Sequence, residues 1–282
     1  MKRSSELFDS IKAIPLTGKK RQVAKYILDN YIEASFLTAA ELARRAHVSE
    51  PTVIRLAGDL GFNGYPELQD ALQQEVQAQL TTVHRLRASH RYTKSRSLGV
   101  QSLVAELKNL EVLLHSLNVR EFRKIIQRLV SADKVIIIGY KMSSILADYL
   151  RMGLKKSIDN IVAVTASTGL LQEELVYAGE RSVVVGIAFP RYTREVVQDF
   201  RLAHEQGVLT VAITDSELSP LIEYANHFLL APCKAISYVD AFAAAMGLLC
   251  AIATEVSLIM ERDVMDRLAR LELLWQANDV FF

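Results

Sequence analysis

The N-terminal third of the chain gathers short polar and basic side chains at one point, where the order is Ser49, Glu50, Pro51, Thr52, Val53, Ile54, Arg55. Ser49 is a good helix N-cap, and Pro51 suits a first helical turn, where its missing N–H does no harm. Val53, Leu56 and Leu60 then form an inward stripe, which turns Glu50, Thr52 and Arg55 outward. Just upstream, Thr38 and Glu41 have the spacing of a capping box, Leu42 faces inward, and the helix ends near Ala46 before a turn at His47 and Val48. A short helix, a tight turn and a second helix stopped by Gly61 make either a helix-turn-helix reader for a major groove or a generic helical hairpin in a core. The outward polar side chains and the positive balance of this region favour the reader. The candidate DNA contacts are Ser49, Glu50, Thr52, Val53 and Arg55, with Lys19, Lys20 and Arg21 at the start of an earlier helix as phosphate contacts.

A second set of chemically able residues follows short apolar runs. After VIII comes Gly139-Tyr140-Lys141-Met142-Ser143-Ser144, after SVVVGI comes Ala188-Phe189-Pro190-Arg191-Tyr192-Thr193-Arg194, and after VLTVAI comes Thr214-Asp215. Helix N-termini at the carboxyl ends of parallel strands offer N–H groups to anions. Ser143 and Ser144 there either cap a helix or ligate a phosphate. Arg191 and Arg194 are either solvated or hold a phosphate or carboxylate bidentately. Asp215 either caps a following helix, the role preferred here, or fixes a ligand hydroxyl. None of the six histidines falls in these loops, and the chain has no metal-ligand spacing, Walker loop or nucleophile elbow. No cofactor is expected.

The elements that must position these groups are legible in the pattern. Up to about Gln79 every periodicity is helical. Residues 80–99 are basic and polar with no apolar stripe, and read as a linker or as a frayed extension of the preceding helix. From about residue 100 helical stripes alternate with nearly all-apolar runs at 135–139, 160–165, 182–189, 208–214 and 227–231, as buried parallel strands require. The expected domains are thus a helical DNA-binding domain over 1–79, a linker over 80–99 and an α/β parallel-sheet domain over 100–282. The net charge of +1 conceals a split: residues 1–97 carry +5 and the rest −4, so only the first part is suited to a polyanion.

The N-terminus carries charges throughout and has no apolar signal-peptide core. The uncharged run from Ala241 to Thr254 is too short to span a bilayer and reads as a buried helix, so no membrane contact is expected. Cys233 and Cys250 match no disulfide or zinc spacing and read as packing residues in a reducing cytoplasm.

The segment SEPTVIRLAGDLGFNGYPELQDAL resembles the helix-turn-helix of the MurR/RpiR family of sugar-phosphate-responsive bacterial regulators. Ser49, Thr52, Val53 and Arg55, then Leu60, Gly61, Phe62, Gly64, Tyr65, Glu67 and Leu68, carry the resemblance. It implies a double-stranded DNA operator as partner and a C-terminal SIS domain, a sugar-isomerase-like α/β sandwich, over roughly residues 118–260.

The family's phosphate loop usually reads Ser-x-Ser-Gly-x-Thr; here Ala188, Pro190 and Arg191 replace the serines and the glycine, while Thr193 stays in register. Lys141 likewise stands where the family usually has glycine, so that it either fills the pocket or adds a cation beside an anionic ligand. The resemblance implies that Lys141, Ser143, Ser144, Arg191, Tyr192, Thr193, Arg194 and Asp215 surround a sugar phosphate or sugar acid. A non-enzymatic sensor is expected and, because one helix-turn-helix reads only a few base pairs, a homodimer or a tetramer of dimers, with the apolar run Ala241–Ile252 a candidate for buried helix contacts within or between SIS domains. Two alternatives stand beside it: a sugar-phosphate isomerase on the same sheet, and a DNA-binding protein whose SIS domain only dimerises.

Overall fold

The computed structural model describes residues 6–77, 82–89 and 97–281. The chain divides into two compact units, Met1–Ser95 and Arg96–Phe282. The first is helical: α1 (Glu6–Ala13), α2 (Gly18–Asp29), α3 (Tyr31–Ala34), α4 (Ala39–Arg45), α5 (Glu50–Asp59), α6 (Tyr65–Gln77) and α7 (Thr82–Ser89). Its core is built from one stripe per helix, including Val23 and Ile27 of α2, Leu42 of α4, Val53 and Leu56 of α5, and Leu68 and Leu72 of α6.

Within residues 80–99, read as a linker or as a frayed extension of the preceding helix, residues 82–89 form α7. Part of that stretch is helical although it carries no apolar stripe, with Val83 and Leu86 exposed. Residues 80, 81 and 90–96 lie outside the described residues.

The second unit starts with α8 (Leu98–Ser116) and α9 (Val119–Val130), followed by β1 (Lys134–Ile138), α10 (Ser143–Leu154), β2 (Ile161–Val164), α11 (Leu170–Val176), β3 (Ser182–Ile187), α12 (Arg194–Glu205), β4 (Leu209–Thr214) and β5 (His227–Leu230). It closes with α13 (Ala243–Ile259) and α14 (Glu261–Ala277). The five strands form one parallel sheet in the order β2-β1-β3-β4-β5. Alternate residues of each strand feed opposite layers. Val135 and Ile137 pack with α8, α9, α10 and α13, while Ile136 and Ile138 pack with α11 and α12.

Because both faces are covered, β1 and β3 are buried along their whole length and apolar after their first residues, Lys134 and Ser182, which is why they read as unbroken runs. From β1 the chain winds outward to β2, then returns past β1 to β3. The loops leaving β1 and β3 therefore diverge and open a crevice at the carboxyl edge, the usual ligand position in such sheets.

Helix α13 matches the expected buried helix, with Ala244, Ala245, Leu248, Leu249, Ile252 and Val256 inward. No single helix among the described residues is long and apolar enough to cross a membrane, and α13 meets α14 at a 100° bend. Cys233 packs on the core as expected, but Cys250 is exposed on the outer side of α13.

Candidate DNA interface and ligand crevice

In the first unit the turn between α4 and α5 is formed as the residues require. Thr38 and Glu41 close the capping box in both directions, with Glu41 N–H donating to Thr38 Oγ1 at 3.3 Å and Thr38 N–H to Glu41 Oε2 at 2.9 Å. His47 takes the left-handed backbone that reverses the chain, and Gly61 (φ +89°) does so after α5. The residues after Gly61 then dock α6. Tyr65 OH donates to Leu37 C=O at 2.6 Å, Gln69 donates to the same carbonyl at 2.7 Å, and Glu67 accepts from Asn63 N–H at 2.6 Å. The Leu-Gly-Phe-x-Gly-Tyr-x-Glu-Leu string thus supplies the turn after α5 and, through Tyr65, docks α6 on the segment before α4.

Two of the expected DNA contacts, Val53 and Thr52, are corrected by this geometry. Val53 is completely buried, as its place in the inner stripe demands, and cannot also touch DNA. Thr52 lies four residues before Leu56 and so shares the buried side; its hydroxyl meets that of Ser49 at 2.9 Å. Ser49 occupies the N-cap position of α5, but its side chain makes that hydroxyl contact in place of a cap bond. Arg55 is exposed, and its guanidinium reaches back to Thr52 Oγ1 at 3.5 Å. The spacing Ser-x-x-Thr-x-x-Arg therefore builds a ladder along one helix edge that biases where Arg55 points.

Glu50, Lys19 and Arg21 are exposed, whereas Lys20 is ion-paired with Asp59 and ties α2 to the end of α5. The exposed face of α5 consists of Glu50, Pro51, Ile54, Arg55, Gly58 and Asp59. Ile54 was not legible as a surface group, because an isoleucine reads as core.

In the second unit the loops after β1 and β3 bring Lys141, Ser144, Arg191 and Arg194 to the carboxyl edge of adjacent strands. Gly139 is required there, since a Cβ would lie 2.6 Å from the Ser143 carbonyl oxygen. Neither serine caps α10. Met142 holds the cap position, Ser143 is buried in the first turn, and the Ser144 hydroxyl donates to Lys141 C=O at 2.6 Å. Thr193 does cap α12, accepting from Val196 N–H at 3.4 Å.

Lys141 (φ +56°) and Arg191 (φ +72°) are both left-handed and both exposed. A side chain there costs roughly 1–2 kcal/mol against glycine, and such costs concentrate at functional sites. The cap role expected for Asp215 is overturned: no helix follows directly, and the carboxylate accepts from the Tyr192 phenol and, at 3.2 Å, from Thr214 Oγ1. Tyr192 therefore points its hydroxyl into the protein.

Two phenol–carboxylate pairs, Tyr192–Asp215 and Tyr140–Asp199, stand at this edge of the sheet, and the second also receives Gln172 Nε2 at 3.4 Å. Burial, and then the adjacent carboxylates, push both phenols well above their ordinary range. Burial also raises the Asp215 carboxyl, against the pull of hydrogen bonds from Tyr192 and its other neighbours. Sequence patterns gave no sign of the Tyr140–Asp199 pair, whose partners are 59 residues apart. The edge as a whole offers cations and helix N-termini on its rim and hydrogen-bonded phenol–carboxylate pairs behind them.

A helical unit with this turn and a doubly wound sheet with this crevice define a two-domain helix-turn-helix protein with a sugar-isomerase-type domain. Residues 12–79 match the helix-turn-helix domain of the rpiR family and residues 128–255 match the SIS domain. The chain belongs to the RpiR family of transcriptional regulators.

Among its relatives, an uncharacterised HTH-type transcriptional regulator of Haemophilus influenzae is 23% identical over 234 residues, covering 82% of this chain and 81% of its own. The HTH-type transcriptional regulator HexR of Pseudomonas aeruginosa is 28% identical over 209 residues, covering 71% and 69%. Among solved structures, the Vibrio vulnificus NanR protein complexed with ManNAc-6P aligns with a TM-score of 0.60 at 21% identity over 96% of this chain and 98% of that one. The sugar isomerase domain of an RpiR transcription factor from Sphaerobacter thermophilus aligns at 0.60 and 24% identity over 63% and 99%. At these identities the two structures establish the fold.

Proposed function

We propose that this regulator reads an operator through the outer face of α5 and binds a small anionic metabolite, a sugar phosphate or sugar acid, in the crevice between the β1 and β3 loops. The observation that carries the ligand reading is the pair of left-handed cationic residues, Lys141 and Arg191, at the openings of α10 and α12, the helices that follow the adjacent strands β1 and β3. Their charges add to the positive ends of the helix dipoles, so the rim attracts an anion. Arg194 in the first turn of α12 and the Thr193 hydroxyl extend the same surface. The phosphosugar held by NanR in its own complex supports this ligand class. Acting on DNA and on a metabolite, the protein works in the cytoplasm.

The test is a thermal-shift screen of hexose, pentose and N-acetylhexosamine phosphates together with aldonic acids. At a hundredfold excess over Kd a true effector stabilises by about 2.7 kcal/mol, which raises the melting temperature by several degrees. A wild-type protein whose melting and DNA affinity respond to no member of the panel would make the second unit a dimerisation scaffold. One observation favours that competing reading: Tyr192 spends its hydroxyl on Asp215 inside the site.

The proposal includes a homodimer, because a single helix-turn-helix reads few base pairs and paired half-sites are the usual remedy. Helix α8 repeats apolar residues every three and four positions, Val100, Leu103, Leu107, Leu110 and Leu114. Leu103, Leu107 and Leu114 leave 71%, 57% and 77% of their surface open. Met142, Ile145, Tyr149 and Met152 make a second exposed stripe along α10. Such seams suit self-association. Sedimentation of the wild type is expected to give a dimer at micromolar concentration. Leu103→Glu/Leu107→Glu, which touches no core residue, is expected to give a folded monomer with weakened operator binding; an unchanged dimer would remove α8 from the interface.

A further inference from the structure

The outer face of α5 carries two features that its polar residues do not explain. Ile54 leaves 47% of its surface open and takes no part in the core of its unit. One turn later on the same face stands Gly58, where an added Cβ would meet nothing within 4 Å. Glycine is among the poorest helix formers, and nothing among the described residues requires one there. An exposed isoleucine alone is ordinary on a protein surface. Paired with an unforced glycine, beside the guanidinium of Arg55, it describes a surface shaped for something outside the molecule, because glycine permits close approach of another backbone.

We propose that Ile54 packs on the C5-methyl group of a thymine in the major groove, and that Gly58 gives the clearance for the DNA strand alongside it. The methyl of thymine is the apolar group among the base edges of that groove, and an aliphatic side chain is its natural complement. Ile54 is then a specificity-determining residue and Gly58 a positioning one. The assignment rests on the reading of α5 as the helix that enters DNA, and it makes Arg55 and Ile54 neighbours on adjacent base pairs.

The test uses the full chain and a randomised duplex library. A synthetic duplex carrying the sequence selected by the wild type is then remade with deoxyuridine replacing thymidine one position at a time, which deletes only the methyl. At one T·A pair in each half-site, deoxyuridine is expected to weaken the wild type about three- to tenfold and to leave Ile54→Ala unaffected. Ile54→Ala should bind the thymidine duplex about as weakly as the wild type binds the deoxyuridine one.

Gly58→Ala is expected to raise the melting temperature by about 4 °C, since alanine is the better helix former, while weakening all duplexes about tenfold or more. If the wild type selects no sequence at all, the DNA reading of α5 falls and this proposal with it. If it selects one, but deoxyuridine costs Ile54→Ala as much as it costs the wild type at every position, the thymine contact alone is wrong. A Gly58→Ala protein that binds as well as wild type removes the clearance.

Discussion

Replacing Arg55 with alanine is expected to lower affinity for a selected duplex about ten- to a hundredfold, the cost of one good base contact at roughly 1–3 kcal/mol. Arg55 is exposed on the outer face of α5, and the Ser49–Thr52 ladder limits the orientations its guanidinium must give up on binding. Thr52→Val should therefore produce a smaller loss, about threefold, acting through Arg55 because Thr52 itself is buried. Lys19→Ala and Arg21→Ala act differently. As phosphate contacts they should weaken all sequences alike, and each should reduce the slope of log affinity against log salt by about one. Lys20→Ala belongs to a third class, since its partner is Asp59 and its loss loosens the joint between α2 and α5. Titration of the variants against selected and scrambled duplexes at several salt concentrations separates the three. An Arg55→Ala protein with unchanged affinity and discrimination would remove that residue from the reading set.

How far the sequence carried the argument depended on whether a residue's partner was near it in the chain. The capping box, the left-handed stop after α5 and the buried strands are local properties, set by spacing, backbone preference and apolar runs, and they were readable. Thr52 was misjudged because a hydroxyl reads as outward, whereas its partner Ser49 satisfies that hydroxyl at the edge of the core. The capping alternative for the two serines of α10 fails because the turn after β1 places Met142 at the cap position. The Tyr140–Asp199 and Tyr192–Asp215 pairs join separate strand-end loops and helices, and no periodicity announces such contacts. Helix α7 was obscured for the opposite reason, since a helix without an apolar stripe leaves no hydrophobic signature.

The crevice makes the sharpest prediction, because its two unusual cations carry a backbone cost that their charge must justify. Lys141 and Arg191 stand in left-handed conformations at the mouths of α10 and α12, where the family pattern has glycine. If they are there for an anionic ligand, glycine should improve the fold and harm the response. Lys141→Gly is expected to raise the melting temperature of the ligand-free protein by about 2–4 °C, from relief of roughly 1 kcal/mol of strain. The gain at Arg191→Gly should be smaller if the interaction that Arg191 makes within the protein is lost with its side chain. Each substitution should weaken the effector found by thermal shift about ten- to a hundredfold, as the loss of a charge-assisted hydrogen bond of about 1.5–3 kcal/mol implies. Ligand-free DNA binding should stay near wild type.

Alanine at the same positions separates charge from backbone. It removes the cation but keeps a Cβ in the left-handed region, so it should reproduce the ligand defect without the gain in stability. Melting curves with and without effector, read beside operator affinity, give every quantity needed. Loss of stability together with unchanged ligand affinity would mean that the two side chains brace their loops and that the anion, if one binds, is held elsewhere. Opposite movements of stability and ligand affinity would mean that the altered loop traded glycine's ease for two positive charges, and that the crevice binds an anion without the serines its family usually places there.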